Sequence, residues 1–133
     1  REDERVMLPL CRYHGIAVTP WSPLARGRVA GAPAVQTKRG ATDNLAGLWY
    51  DQQTMENAIV SAVDRVAAAR GVPPAQVAIA WAASRPGITA PIVGASKPHH
   101  LGDAVAGIQL QLTAGEVALL EADYRPRPVA GHD

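Results

Sequence analysis

The sequence predicts an α/β fold, and three observations carry that reading. Two short apolar runs, Ile16-Ala17-Val18-Thr19 and Ile92-Val93, are bounded by Gly and Pro as buried strands are. The segments around them repeat apolar residues at helical spacing, and helices alternate with the runs, which is the grammar of parallel strands joined by helical crossovers. The composition, 133 residues with 47% hydrophobic and 19% charged, suits about one globular domain.

The elements follow in order. Glu2, Asp3 and Glu4 suit a helix N-terminus through the macrodipole; Met7, Leu10, Cys11 and His14 then fall at helical spacing, and Gly15 is placed as a C-terminal cap. Ile16 to Thr19, closed by Pro20, form the first strand. From Trp21 to about Gln53 no periodicity is sustained, and so long a loop in a compact domain is usually a functional lid or disordered. Met55, Ile59, Val63 and Val66 line one face of a helix ending at Gly71. Pro73-Pro74 restarts the chain as the first turn of a helix over Ala75 to Ser84, with Val77, Ala78, Trp81 and Ala82 as a buried stripe, and Pro86-Gly87 ends it. Pro91 limits the second strand to the residues around Ile92 and Val93. Leu101, Val105 and Ile108 give one more amphipathic helix. Thr113 and Glu116 are spaced as a capping box before a last helix with Val117, Leu120 and Tyr124 on one face, and Arg125 to Asp133 form an extended tail.

Two parallel strands alone leave unpaired edges, so the chain is expected to be the C-terminal piece of a larger α/β protein. Its start at Arg1 rather than Met suits a processed product or a fragment. Thirteen Lys and Arg against twelve Asp and Glu leave a net charge of +1, too little to drive binding to nucleic acid or a membrane surface. No apolar run approaches the roughly 20 residues of a membrane helix, and no signal peptide is present. The single Cys11 and the lack of zinc-ligand spacing fit a reducing, cytoplasmic setting without a bound metal.

Anion binding is the chemistry the residues favour. Trp21-Ser22-Pro23-Leu24-Ala25-Arg26-Gly27 follows the first strand, where backbone N–H groups, a hydroxyl and a guanidinium suit a diphosphate. Gly94-Ala95-Ser96-Lys97-Pro98 lies between the second strand and a helix start, whose amides favour a phosphate. Each loop has a plainer reading, an ordinary turn at Ser22-Pro23 and a capping Ser96. Together they are more telling, because parallel α/β proteins place ligands at the C-terminal ends of strands. His14 is expected at the surface or at the helix end, His99 and His100 in a first helical turn, His132 in the tail. None has the partners of a catalytic triad, and no carboxylate pair is spaced for acid–base work, so no catalytic residue is assigned. Trp81 and Cys11 are expected inside, Trp49 and Tyr50 on the long loop, and Trp21 at a pocket wall.

The segments Trp21 to Gly27, Gly71 to Trp81, Ala90 to Lys97 with His100-Leu101 and Asp103-Ala104, and Leu112 to Glu116 with Tyr124-Arg125-Pro126 resemble the C-terminal part of the aldo-keto reductases, of the branch that includes potassium-channel β-subunits and bacterial reductases. The resemblance spans nearly all of the chain. It implies part of a (β/α)₈ barrel, with Ile16–Thr19 and Ile92–Val93 as the seventh and eighth strands, that binds NADPH and passes hydride to an aldehyde or ketone. It implies Ser22, Pro23, Leu24 and Arg26 along the cofactor diphosphate and Trp21 near the nicotinamide. Gly94, Ser96, Lys97 and His100 would surround the 2′-phosphate, Asp103 would face the adenine, and Arg39 would belong to a closing loop. Two positions depart from the pattern: Ala32 stands where relatives often carry Lys, and Ala104 where many carry Asn. The family's catalytic Asp, Tyr, Lys and His come from earlier strands absent here, so the 133-residue chain is expected to be inactive by itself. A nucleotide-binding regulatory module without turnover is the competing reading, and a truncated product a third. Substrate identity and oligomeric state stay open.

Overall fold

The computed structural model describes residues 3–31 and 53–125, with side chains from 57 onward in the second stretch. Arg39, Ala32, Trp49, Tyr50, His132 and most of the long loop and tail lie outside the described residues. Among the described residues the regular elements are helices α1 (Met7–Tyr13), α2 (Gln53–Arg70), α3 (Pro74–Ala83), α4 (Pro98–Gln109) and α5 (Ala114–Glu121), with a 3₁₀ turn at Ala25–Gly27.

Helix α1 is shorter than expected and turns a different face inward. The acidic residues at 3 and 4 precede it, and Leu8 is buried whereas Met7 and Leu10 are exposed. Its end is a Schellman motif: Gly15, at φ 65°, donates to the Arg12 carbonyl and Ile16 N–H donates to Cys11. The turn at Gly87 packs on it, since a Cβ there would lie 3.0 Å from Arg12 Cδ and 3.6 Å from Leu8 O.

The two apolar runs are extended and parallel but do not form a regular ladder. Thr89 N–H donates to Val18 O at 2.8 Å, Ile92 N–H to Pro20 O at 2.8 Å, and the pairing is a single parallel bridge between Trp21 and Ile92. The expected strands are thus corrected to a bridged pair. Pro20 and Pro91 contribute no N–H, and Val18 N–H is taken by the Thr89 side-chain hydroxyl at 3.0 Å instead of a carbonyl.

Helices α2 and α3 occupy the crossover between these segments. Ala62, Val63, Val66 and Ala67 of α2 meet Val77 of α3 and Leu120 of α5 in the main core. Gly71, at φ 64°, closes α2 as Gly15 closes α1, with Val72 N–H reaching Ala67 O. Helix α3 begins with Pro74 at N1 and buries Val77, Ala78, Ile79 and Ala80, four consecutive residues rather than the expected stripe. It is flanked by α2 on one side and α4 on the other, so no side of this segment faces water.

The amphipathic stripe of α4 does not make that contact. Leu101, Val105 and Ile108 are 63%, 51% and 58% exposed, and α4 meets α3 through the small residues Ala104 and Gly107. A Cβ at Gly107 would lie 3.0 Å from both Gln76 O and Ile79 Cβ, so the two backbones approach closely there.

Helix α5 carries the expected capping box in full, with Thr113 Oγ1 accepting from Glu116 N–H and Glu116 Oε2 accepting from Thr113 N–H. The same carboxylate receives Arg70 Nε at 2.5 Å and Nη2 at 2.7 Å, and Arg70 Nη2 also donates to Gln111 O. That two-pronged pair ties the end of α2 to the start of α5. Glu121 does the same at the other end of α5. It accepts Trp81 Nε1–H at 2.9 Å and Arg85 Nη1–H, while the Arg85 guanidinium lies 5.0 Å over the Trp81 ring. Trp81 is therefore only partly buried, with a polar partner and Tyr124 edge-on at 5.8 Å.

Candidate functional site

The parallel register puts the two expected anion loops at the same end of the paired segments. Trp21 is the bridged residue of one, and Ile92, its partner, precedes Gly94-Ala95-Ser96-Lys97 in the other. Trp21 is 63% exposed beside that junction.

The first loop turns tightly through left-handed backbone. Ser22, Ala25 and Arg26 have φ of 55°, 47° and 57° without being glycine, and Gly27 follows at 98°. Ser22 precedes Pro23, a position that sterics bias toward extended backbone, so no sequence signal announces this geometry. Ser22 O accepts from Ala25 N–H, and Ser22 Oγ accepts from Arg26 N–H at 3.2 Å. Gly27 N–H returns to Leu24 O. Strained residues held in such a run concentrate at ligand-binding loops. Ser22, Pro23, Leu24 and Arg26 are all half-buried.

The second loop runs into α4. Lys97 is the N-cap residue, with extended backbone and no side-chain capping bond, and Pro98 is N1. This corrects the plainer reading of Ser96 as the cap. Ser96 is one residue further out, and both its N–H and its Oγ lie 3.4 Å from His100 Nδ1. Gly94, Ser96 and Lys97 are exposed and His100 is half-buried. Among the described residues no carboxylate forms an ion pair with Lys97. Asp103, one turn further along α4, accepts Gln76 Nε2–H at 2.9 Å through Oδ1. That link to α3 was not foreseen, because Gln76 and Asp103 belong to different helices and nothing in their spacing relates them.

The second loop offers a phosphate an exposed ammonium at a helix N-terminus, a hydroxyl and an imidazole, whereas the Ala25, Arg26 and Gly27 amides of the first loop are spent within it. Among the described residues no three His, Cys, Asp or Glu side chains converge as a metal site would need, and no helix is long and apolar enough to cross a membrane.

Residues 1–124 match the model of the aldo/keto reductase family. The chain belongs to that family. Among curated aldo-keto reductase relatives, the versiconal hemiacetal acetate reductase of Aspergillus parasiticus is 39% identical over 97% of this chain and 38% of its own length. An aldo-keto reductase of Fusarium vanettenii is 36% identical over 99% of this chain and 36% of its own length. The chain thus spans little more than a third of the length of these relatives. A glycerol dehydrogenase from Gluconobacter oxydans superposes with a TM-score of 0.71 at 22% identity, covering all of this chain and 42% of that one. Its likeness fixes the architecture of this aldo-keto reductase chain as an incomplete (β/α)₈ barrel, in which the bridged segments and their helices are the visible β/α units.

Proposed function

We propose that this chain is the C-terminal, cofactor-binding part of an NADPH-dependent aldo-keto reductase that reduces aldehydes or ketones to alcohols. The observation that carries the proposal is the parallel bridge between Trp21 and Ile92, which brings both anion loops to one end of the barrel segment. In (β/α)₈ enzymes that end holds the active site, and the loops after strands seven and eight frequently bind phosphate.

The residues fit the cofactor's anionic groups. Ser22, Pro23, Leu24 and Arg26 present a tight, half-buried loop for the diphosphate. Lys97, at the α4 N-terminus, supplies the charge that a 2′-phosphate requires, and Ser96 and His100 supply hydrogen-bonding groups beside it. Asp103, held by Gln76, stands on the same helix where the adenine would lie. Bound NADPH would supply the hydride. In this reading the acid that protonates the carbonyl oxygen comes from earlier strands of the barrel.

Fluorescence titration of the full-length protein tests the reading. Lys97→Ala should weaken NADPH roughly tenfold, about the value of one charge-assisted hydrogen bond, and leave NADH nearly unchanged. Equal effects on the two dinucleotides, or none, would remove the 2′-phosphate assignment. NADPH oxidation with a panel of aldehydes separates a reductase from a module that binds without turnover.

A further inference from the structure

Resting on the cofactor reading above, we infer that the first turn of α3 is a positioning element, in which Pro74 and Gln76 set the span between the two loops so that one ligand is gripped by both. The Trp21–Ile92 bridge fixes the roots of the loops, but it is a single point and leaves their outer ends to other contacts. Those contacts converge on one turn of α3.

The first loop reaches that turn through Gly31. Arg28 N–H donates to Ala25 O, Val29 N–H to Leu24 O and Ala30 N–H to Gly27 O, so the loop continues past Gly27 as one hydrogen-bonded unit. Gly31 then lies against the Pro74 ring, where a Cβ would fall 2.7 Å from Cγ and 3.1 Å from Cδ. Any side chain at 31 would push the loop away from α3.

The helix that follows the second loop reaches the same turn through Gln76. Gln76 Nε2–H donates to Asp103 Oδ1 at 2.9 Å, and Gln76 O lies 3.0 Å from where a Cβ of Gly107 would be. Positions 103 and 107 are about one helical turn apart, so the two contacts fix the direction of α4 as well as its distance. The turn between them is firm. Pro74 at N1 has its φ set by the ring, Gln76 N–H donates to Pro73 O at 2.9 Å, and the next residue, Val77, is 0% exposed. One rigid turn therefore carries the first loop on Pro74 and α4 on Gln76.

The consequence falls on a ligand that spans both loops. Once one end is bound the other binds intramolecularly, at an effective concentration set by how closely the second loop is held at the matching distance. A ligand confined to one loop gains nothing from the span. Pro74 and Gln76 are not among the residues placed against the cofactor, so they act through the loops they hold.

Fluorescence titration of the full-length protein with NADPH, and displacement of NADPH by adenosine 2′-phosphate, compares a ligand of both loops with a ligand of the second alone. Pro74→Ala removes the ring that Gly31 rests on, and Gly31→Ala breaks the same contact from the loop side. Each should weaken NADPH by about threefold to tenfold and leave adenosine 2′-phosphate within about twofold of wild type, a split that loss of stability by itself does not produce. Gln76→Leu should weaken NADPH to a similar degree. Combined with Pro74→Ala it should cost less than the product of the two single effects, because one turn is loosened in both. Equal loss of both ligands in Pro74→Ala and Gly31→Ala, or unchanged NADPH affinity in them, overturns the positioning role and leaves the cofactor reading intact. A wild-type protein that holds adenosine 2′-phosphate as tightly as NADPH also overturns it, since no second grip is then gained. Failure of the wild-type protein to bind NADPH overturns the cofactor reading as well.

Discussion

Helix α4 carries two glycines that a single substitution distinguishes. At Gly102 a Cβ meets nothing within 4 Å, whereas at Gly107 it lies 3.0 Å from Gln76 O, 3.0 Å from Ile79 Cβ and 3.1 Å from Ile79 Cγ2. Ordinary carbon contacts lie at about 3.5–4.0 Å, so α3 and α4 must separate by roughly 0.5 Å to admit a methyl group at Gly107. The obstructing atoms are a backbone carbonyl and the branched carbon of a side chain that is 1% exposed, neither of which can swing aside. Overpacking of this kind costs about 1–3 kcal/mol. Replacing glycine by alanine inside a helix returns about 1 kcal/mol at either site. Gly102→Ala should therefore stabilise by about 1 kcal/mol, and Gly107→Ala should stand about 1–3 kcal/mol below it. The helix-propensity gain is common to both and cancels in the difference. In urea, with a slope of about 1.5 kcal/mol per molar, the two midpoints should be separated by about 1 M. Equal midpoints would refute the close approach of α3 and α4.

Glu116 predicts a specific acid response. The guanidinium of Arg70, and then the Thr113 amide, hold its carboxyl at about 2 against an ordinary value of 4.5. A carboxyl lowered on folding contributes stability that is complete above about pH 4.5 and disappears as pH falls toward about 2. The stability difference between wild type and Glu116→Gln should thus be constant above pH 4.5 and shrink below it; a difference that ignores pH over that interval would contradict the assignment. Gly31→Ala should lower the thermal midpoint, because Gly31 has φ 85° and a Cβ there would fall 2.7 Å from Pro74 Cγ. The expected loss is about 1–3 kcal/mol, and an unchanged midpoint would show that Pro74 does not cover Gly31.

Local signals translated well into local structure. The Thr113–Glu116 box, the caps at Gly15 and Gly71 and the proline start of α3 each depend on residues within a turn of one another, and each formed as the residues suggested. The apolar periodicity was less informative, because it reports a greasy face without saying what meets it. In α4 the face with Leu101, Val105 and Ile108 is exposed, and the contact with α3 goes through Ala104 and Gly107, whose small size permits backbone approach. At the candidate site the sequence located the two loops but not the mutual arrangement of their side chains. The Ser96–His100 contact follows from helical spacing, whereas the Gln76–Asp103 bond and the left-handed run from Ser22 to Gly27 arise from tertiary packing and have no local signature.

The prolines of the bridged pair bear on how the protein behaves before it has finished folding. Ile16 and Ile92 are 57% and 55% exposed on extended backbone, the kind of surface that recruits a strand from another molecule. Val18 and Pro20 turn toward the partner segment, whereas Pro91, between Ala90 and Ile92 whose amides point into the pair, withholds its amide from the outer edge. An incoming strand would find interrupted donors and so could not extend a continuous ladder. The proline at the outer edge is thus the device that opposes edge-to-edge pairing of this segment.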